Sequence, residues 1–418
     1  MAETYPIRTI TADEFGDLTQ VAALAFGQTW PPEGIEHERK LIEFDRTIAA
    51  LDGEHMVGSA GSYSVRLTVP GGTAAAAGIT LVSVLPTYRR RGVLTGLMDW
   101  LLADAAGRGE ALAILFATEA SIYGRFGFGM ASMHQTLKFG RGEGKLEPGA
   151  EVRGRGTTRL REAEPLRARA DLATVFDAVL PHQPGTLARD AKWWDHILAD
   201  PPAMRPSGLS PLRCLIADDD SGPRGYALYR TQLSWGSDHL AAGTLRIREL
   251  TATDPAATAA LWTHLLSRDL TAEVTAQLRP VDDPVLAMLA DPRRSRPAPA
   301  DGLWVRLVDL PGALCLRRYS APADLVIEVS DQVLGTNAGR WRLRTGGPGA
   351  SEPATCDRTG DPADLRLPVQ ALGAGFLGTP RVGQLAAAGH IAELTPGSLA
   401  CLGTAMSWDR APFSPMIF

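Results

Sequence analysis

The sequence predicts a chain of several α/β domains, and three observations lead to that expectation. At 418 residues it exceeds one ordinary core, and the usual domain size suggests about three domains. The stretch from Thr80 to Met98, TLVSVLPTYRRRGVLTGLM, reads as a buried strand, a tight loop and a helix. The same strand-to-helix order returns between Tyr226 and Leu266.

Taken in order, residues 5 to 10 predict a first strand. Thr11 with Glu14 three residues later reads as a capping-box start for a helix through Phe26. After a hinge at Trp30-Pro31-Pro32, the segment Glu33 to Asp45 is acidic and helical in pattern, which by composition alone is a solvated face. Thr47 to Leu51 and Met56 to Val69 read as strands joined at Asp52-Gly53, and Pro70-Gly71-Gly72 turns the chain back toward Leu81, Val82 and Val84. Pro86 ends that strand. Leu94, Leu97, Met98, Leu101 and Leu102 then form one apolar helical stripe. The loop Arg89-Arg90-Arg91-Gly92 sits where this helix begins, where unpaired N–H groups and the positive end of the helix dipole suit an anion. Spacing alone fits a solvated basic turn equally well. Ala111 to Thr118 reads as another buried strand and Glu119 to Arg125 as a short helix ending at Gly127. Two strands diverging here would leave a cleft, with the edge at Val82 to Val84 free to pair with an extended ligand.

Glycine and charge rise between Arg141 and Arg155, predicting a domain boundary. In the second copy of the strand-to-helix unit the junction is TATDPAATAAL, with Asp254 where the first has arginines. An acid there repels a pyrophosphate. Asp291 to Ala300, DPRRSRPAPA, reads as a linker, and a third unit starts near Leu303 with VRLVDL, LVIEVS, GRWRLRT, DLRLPVQAL and a helix around Arg381 to Ala388. The chain closes on Ser414-Pro415-Met416-Ile417-Phe418, a terminus apolar enough to be docked in a groove, although a tail that merely packs is the blander account.

Whole-chain numbers exclude several classes. The composition is 45% hydrophobic and 21% charged with net charge -5, so no basic footprint recommends nucleic acid or an anionic membrane, and cationic small molecules remain plausible partners. The N-terminus lacks a signal-peptide pattern and no stretch approaches membrane-spanning length, giving a cytoplasmic expectation. Four widely spaced cysteines and eight histidines without H-E-x-x-H spacing indicate neither disulfides nor a metal site.

The loop at Arg89 and Gly92 resembles the acetyl-CoA pyrophosphate loop of GCN5-related N-acetyltransferases, with Leu94 where Gly or Ala is usual. Together with VSVLPTYRRRG and SIYGRFGFG, it is similar to the enhanced intracellular survival (Eis) branch of that superfamily. The resemblance implies a catalytic acetyltransferase domain (1-150), a degenerate acetyltransferase-like domain without cofactor (151-300) and a sterol-carrier-protein-like domain (301-418). It implies acetyl-CoA as co-substrate, held by Val82, Ser83 and Val84, by the loop Arg90, Arg91, Gly92, Val93, Leu94 and Thr95, and near Thr118 and Glu119. Tyr123 would protonate the departing CoA sulfur; apart from the family it reads as a tyrosine packed at a helix start. The α-carboxylate of Phe418 would act as general base or hold the acceptor ammonium. The acidic segment after Trp30 would border the acceptor pocket, with Gln28 where an acid is expected. A homohexamer is implied by likeness alone.

Three function classes follow: an amine N-acetyltransferase acting on an aminoglycoside, a polyamine or a lysine-like amine; a lipid or acyl-CoA carrier using the C-terminal module; and an acetyl-CoA-sensing regulator without turnover. The intact loop and Tyr123 count against the second, the docked terminus against the third.

Overall fold

The computed structural model describes residues 5–149, 158–379 and 382–418. The expected glycine-rich boundary falls partly, and Arg381 wholly, outside the described residues. The strands, in chain order, are β1 (Ile7–Thr9), β2 (Thr47–Asp52), β3 (His55–Val69), β4 (Gly72–Val84), β5 (Leu112–Phe116), β6 (Gly129–Met130), β7 (Met133–Gly140), β8 (Arg159–Ala163), β9 (Arg213–Asp219), β10 (Gly222–Gln232), β11 (Gly243–Ala252), β12 (Thr271–Pro280), β13 (Ala298–Asp301), β14 (Leu303–Leu307), β15 (Ala323–Ser330), β16 (Gly339–Thr345), β17 (Thr355–Arg358), β18 (Leu365–Pro368) and β19 (Ala392–Glu393).

One compact unit contains the chain up to Ser132, Gly302–Pro412 and Ile417–Phe418. Its larger sheet has the order β1-β2-β3-β4-β5-β14-β6. The long hairpin β3–β4 turns at Pro70-Gly71, between the paired residues Val69 and Gly72. The helix Val93–Gly107 lays Val93, Leu97, Met98, Leu101, Leu102 and Ala105 into the core with Ile48, Val57, Ile79 and Leu115. The apolar stripe read from the sequence is therefore the buried face, Leu94 alone being half-exposed. At the foot of this core Arg46, fully buried, binds Asp104 at 3.1 Å and Glu110 at 2.6 Å and donates to Ser64 Oγ at 2.9 Å. A second sheet in the same unit, β17-β16-β15-β18-β19, belongs to the C-terminal module, with the helices Val369–Gly375, Val382–Ala387 and Ser398–Met406.

The other unit, Met133–Asp301 with Phe413–Met416, is built on the sheet β13-β7-β12-β11-β10-β9-β8. Trp262, on the helix Pro255–Leu266, is fully buried at its centre beside Phe139, ring centroids 5.7 Å apart.

Strand membership departs from the sequence expectation in three places. VRLVDL does not open the C-terminal module: β14 is hydrogen-bonded between β5 and β6. β7, expected in the first domain, lies between β13 and β12. DPRRSRPAPA is no linker either, because Pro292–Ser295 forms a 3-10 turn and Ala298–Asp301 pairs with β7. Two of the three arginines of that run, Arg294 and Arg296, are bound to Glu143 at 3.0 and 2.7 Å. Two helix limits also shift. The first helix runs Phe15–Phe26 rather than from Thr11: Glu14 accepts from the Thr11 amide at 2.8 Å and from Arg8 at 2.6 Å, but its own amide donates to the Thr11 carbonyl at 3.2 Å, closing a turn before the helix begins. The acidic helix is Pro32–Arg39, followed by a 3-10 turn at Phe44–Arg46.

Candidate active site

β4 pairs with β3 along its whole length but with β5 only from Ala76↔Leu112 to Gly78↔Ile114. Beyond Gly78 the two parallel strands part, while β5 stays bonded to β14 as far as Phe116. The edge of β4 from Ile79 to Val84 that would face β5 thus has no ladder partner among the described residues. A bulge between Gly61↔Thr80 and Ser59↔Ser83 accompanies the divergence, with Leu81 at φ 53. An extra residue of this kind bends a strand and increases its twist. Ser59 steadies the bend, hydrogen-bonding Leu81 O at 3.2 Å and Ser83 Oγ at 2.7 Å. Along this edge Val82 and Val84 are half-buried on either side of the buried Ser83.

The loop that follows ends on a helix start with no side-chain cap. Gly92 has φ 87, and a Cβ there would meet nothing within 4 Å, so the approach to the amides of Val93, Leu94 and Thr95 is open. Arg90, also left-handed at φ 63, is exposed. Left-handed residues curl a main chain so that its N–H groups converge on an anion. The neighbouring cations are placed differently: Arg89 donates to Ala25 O at 3.3 Å, and Arg91 lies over the Tyr88 ring at 5.2 Å, whose hydroxyl donates to Asp52 at 2.8 Å.

At the apex of the divergence sits the chain terminus. The Phe418 ring packs edge-on against Phe116 at 5.4 Å and Tyr63 at 6.3 Å. A Cβ at Gly78 would come within 3.1 Å of its Cε2, so the last residue that β4 pairs with β5 leaves the ring its room by lacking a side chain. Of the SPMIF terminus, Ile417 and Phe418 belong to the same unit as the loop and Tyr123, and Ser414, Pro415 and Met416 to the other.

Tyr123 ends the four-residue helix Ala120–Tyr123 and is only 6% exposed, edge-on to Phe128 at 6.1 Å. Its hydroxyl has no hydrogen-bond partner among the described residues. Burial, and then the charge of Glu119, push the phenol up to about 12. Thr118 and Glu119 are exposed at the start of that helix, and Glu119 makes no capping bond. Of the acids after Trp30, Glu33 and Glu36 are exposed, whereas burial pushes the Glu38 carboxyl up. Glu43 accepts from the Ser64 amide at 2.7 Å and hydroxyl at 2.6 Å. Burial raises the Tyr63 phenol, and the charges of Glu38 and Glu43 raise it further. Sequence reasoning treated these acids as one run; the alternation of exposed and withdrawn positions along the helix Pro32–Arg39 is the signal that singles out Glu38. Gln28 accepts from the Trp30 indole at 3.3 Å.

The corresponding junction of the other unit is closed by its own side chains. Asp254 caps the helix Pro255–Leu266, accepting from the Ala257 amide at 2.9 Å. β11 pairs with β12 only as far as Ile247↔Ala276, and beyond that Arg279 donates to Leu250 O at 2.7 Å and to Asp283 at 2.6 Å. One carboxylate thus occupies the helix start and one guanidinium the strand edge. Among the described residues no group of three or more His, Cys, Asp or Glu is placed to hold a metal ion, and no helix is long and apolar enough to cross a membrane.

Family-level comparison matches residues 6–131 and 185–307 each to an acetyltransferase (GNAT) domain and residues 310–415 to a sterol carrier protein domain. N-acetyltransferase Eis of Mycobacterium tuberculosis is 32% identical over 91% of each chain. The chain belongs to the Eis family of GNAT acetyltransferases. An uncharacterized N-acetyltransferase of Streptomyces coelicolor is 42% identical over 92% of each chain. The crystal structure of Eis1 from Mycobacterium abscessus superimposes with a TM-score of 0.82 at 31% identity, covering 99% of this chain and all of that one. The Anabaena variabilis GCN5-related N-acetyltransferase, at 18% identity and a TM-score of 0.83, shares the fold. Two GNAT domains followed by a sterol-carrier-like domain, and acetyltransferase activity, are thereby established for this Eis-family member.

Proposed function

We propose that this Eis-family enzyme transfers the acetyl group of acetyl-CoA to a primary amine of a small cationic molecule, and that one cleft per chain does so. The observation that carries the reading is the parting of β4 from β5 beyond Gly78, with an uncapped helix start at Gly92 along one strand and the chain terminus at the apex. The pantetheine arm pairs with the main chain at Val82 and Val84, as an added strand does, and the pyrophosphate lies on the amides from Arg90 to Thr95. Thr118 and Glu119 flank the thioester end.

Attack by the amine on the thioester carbonyl forms a C–N bond, breaks the C–S bond and releases one proton from nitrogen. The Phe418 α-carboxylate receives that proton directly or through water and holds the ammonium beforehand. Such a group is a weak base, with a reference pKa of about 3.5, so much of its effect is electrostatic. Tyr123 gives its phenolic proton to the thiolate, and solvent restores it. Held near 12, the phenol is protonated throughout the physiological range, and being a weaker acid than the free side chain it gives up its proton only as negative charge builds on the departing sulfur. Glu38 and Glu43, near Tyr63, make this side of the cleft anionic and favour a cationic acceptor. Assembly as a homohexamer is part of the same reading.

Thiol release from acetyl-CoA across a panel of polyamines, aminoglycosides and lysine-like amines tests the proposal. Turnover should require an amine, Tyr123→Phe should abolish it with CoA affinity retained, and Gly92→Val, which puts a β-branched residue at φ 87, should weaken CoA binding strongly. Absence of amine-dependent thiol release, or a Tyr123→Phe enzyme as fast as its parent, would overturn it.

A further inference from the structure

Tyr123 is followed within six residues by three glycines, Gly124, Gly127 and Gly129, and each one is a point of close approach to a later part of the chain. A Cβ at Gly124 would come 2.8 Å from Nε2 of Gln370, and one at Gly127 would come 2.8 Å from Cζ and 2.9 Å from Nε and Nη1 of Arg306. At Gly129 it would fall on the carbonyl oxygen of Gln370 and the amide of Ala374. The fit is reciprocal, since a Cβ at Gly373 would fall on the carbonyl oxygen of Val305. Gln370, Gly373 and Ala374 all lie on or beside the first turns of the helix Val369–Gly375 in the C-terminal module.

Arg306 adds a second anchor. It is fully buried on β14 and held through Nη2 by Asp331 at 2.7 and 2.8 Å. Asp331 in turn accepts from the amides of Val333 and Leu334 and from Asn337 Nδ2, at 3.1, 3.0 and 3.1 Å. The Nε and Nη1 of Arg306, which face Gly127, have no hydrogen-bond partner among the described residues. Buried N–H groups left unpaired are costly. A guanidinium kept here in spite of that cost occupies the space against the Gly127 turn, where φ is 83.

We propose that the C-terminal module, through Gln370, acts together with Arg306 of β14 to set the position of Tyr123, both being positioning residues that seat the glycine-marked turn after it. This rests on the assignment of Tyr123 as proton donor. It gives the sterol-carrier-like module a part in acetyl transfer that requires no lipid: the helix Val369–Gly375 is the bed on which the donor's loop lies.

The test is a double-mutant cycle at the pair Gly124 and Gln370. Gly124 has φ -56 and ψ -37, so alanine is at ease there and the backbone gives no reason for harm. In Gly124→Ala the new methyl lands on the Gln370 amide and drives it away from the turn; in Gln370→Ala the same support is deleted outright. Each single variant should lose on the order of tenfold in kcat, since small misplacements of a reacting group can cost up to about 10²-fold. CoA affinity by calorimetry and the melting temperature should stay at the parental value. The double variant, in which the added methyl replaces part of the deleted amide, should be faster than either single one. Losses that multiply in the double variant, single variants with parental kcat, or a parallel fall in CoA affinity would each overturn the proposal. Tyr123→Phe separates the two ideas: if it abolishes turnover while Gly124→Ala and Gln370→Ala do nothing, the donor stands and the positioning role falls.

Discussion

Phe418→Ala keeps the terminal carboxylate but deletes the ring that anchors it. The ring makes two edge-on aromatic contacts, with Phe116 and Tyr63, and fills the space above Gly78. At about 0.5–1.5 kcal/mol for each aromatic pair beyond area burial, the anchor amounts to about 1–3 kcal/mol. That corresponds to a docking equilibrium weakened by about 5- to 150-fold, taking about 1.4 kcal/mol per factor of ten. Because the ring is only half-buried and terminal, global stability should change little. Steady-state thiol release with a cationic amine should show a fall in kcat/KM within that range, expressed mainly in the KM for the amine. Phe418→Leu, which keeps apolar bulk, should recover part of it. A Phe418→Ala enzyme with parental kcat and parental KM for the amine would refute the claim that the ring places the carboxylate.

Three further outcomes follow from the same structure. Burial holds the Tyr123 phenol near 12, above its value of about 10 in an unfolded chain. As the proposed proton donor it should therefore stay protonated, and kcat should show no loss from this group between about pH 8 and 10. With the folded pKa raised, its contribution to stability is complete below about 10 and disappears as pH rises through that value toward the folded one; ultraviolet phenolate titration of wild type against Tyr123→Phe reads this directly. Arg46→Met should strand Glu110 in a buried site, Asp104 keeping its bond to Arg108 at 2.9 Å, and cost about 3–5 kcal/mol in denaturant unfolding, while Arg46→Met with Glu110→Leu should regain much of it. Calorimetry should find one CoA per chain, because Asp254 and Arg279 already occupy the helix start and strand edge of the other unit; a stoichiometry of two would contradict that.

The strand, loop and helix around Gly92 are legible in the sequence because their signals are local: a proline stop, a left-handed glycine, an apolar stripe at helical spacing. The docking of SPMIF is legible for a different reason, an apolar run where solvent is the default. Strand partnership is not written locally. VRLVDL has the same alternation whether it pairs with β5 and β6 or with the C-terminal sheet, and only the long-range register decides. DPRRSRPAPA misleads through its prolines, which suit a linker but are equally tolerated on an edge strand, the position β13 takes beside β7. Its arginines read as solvated until Glu143, far away in sequence, is seen to bind two of them. Glu38 was hidden among its neighbours because burial, and not residue type, separates it from Glu33 and Glu36.

The central claim is that the α-carboxylate of Phe418 works in the cleft opened by β4 and β5. Its most direct test is turnover of the untagged enzyme against a form with two polar residues added after Phe418 and a form ending at Pro415, with a two-residue addition before Met1 as control. Extension moves the charge away from the apex beside Gly78, and a displaced catalytic group can cost on the order of 10²-fold in rate. Both C-terminal changes should therefore lose on that order in kcat/KM for the amine, with CoA affinity intact and the N-terminal control at full rate. An extended enzyme with full activity and unaltered affinity for its amine would contradict the claim and move the search for the base to Glu38, Glu43 or Glu119.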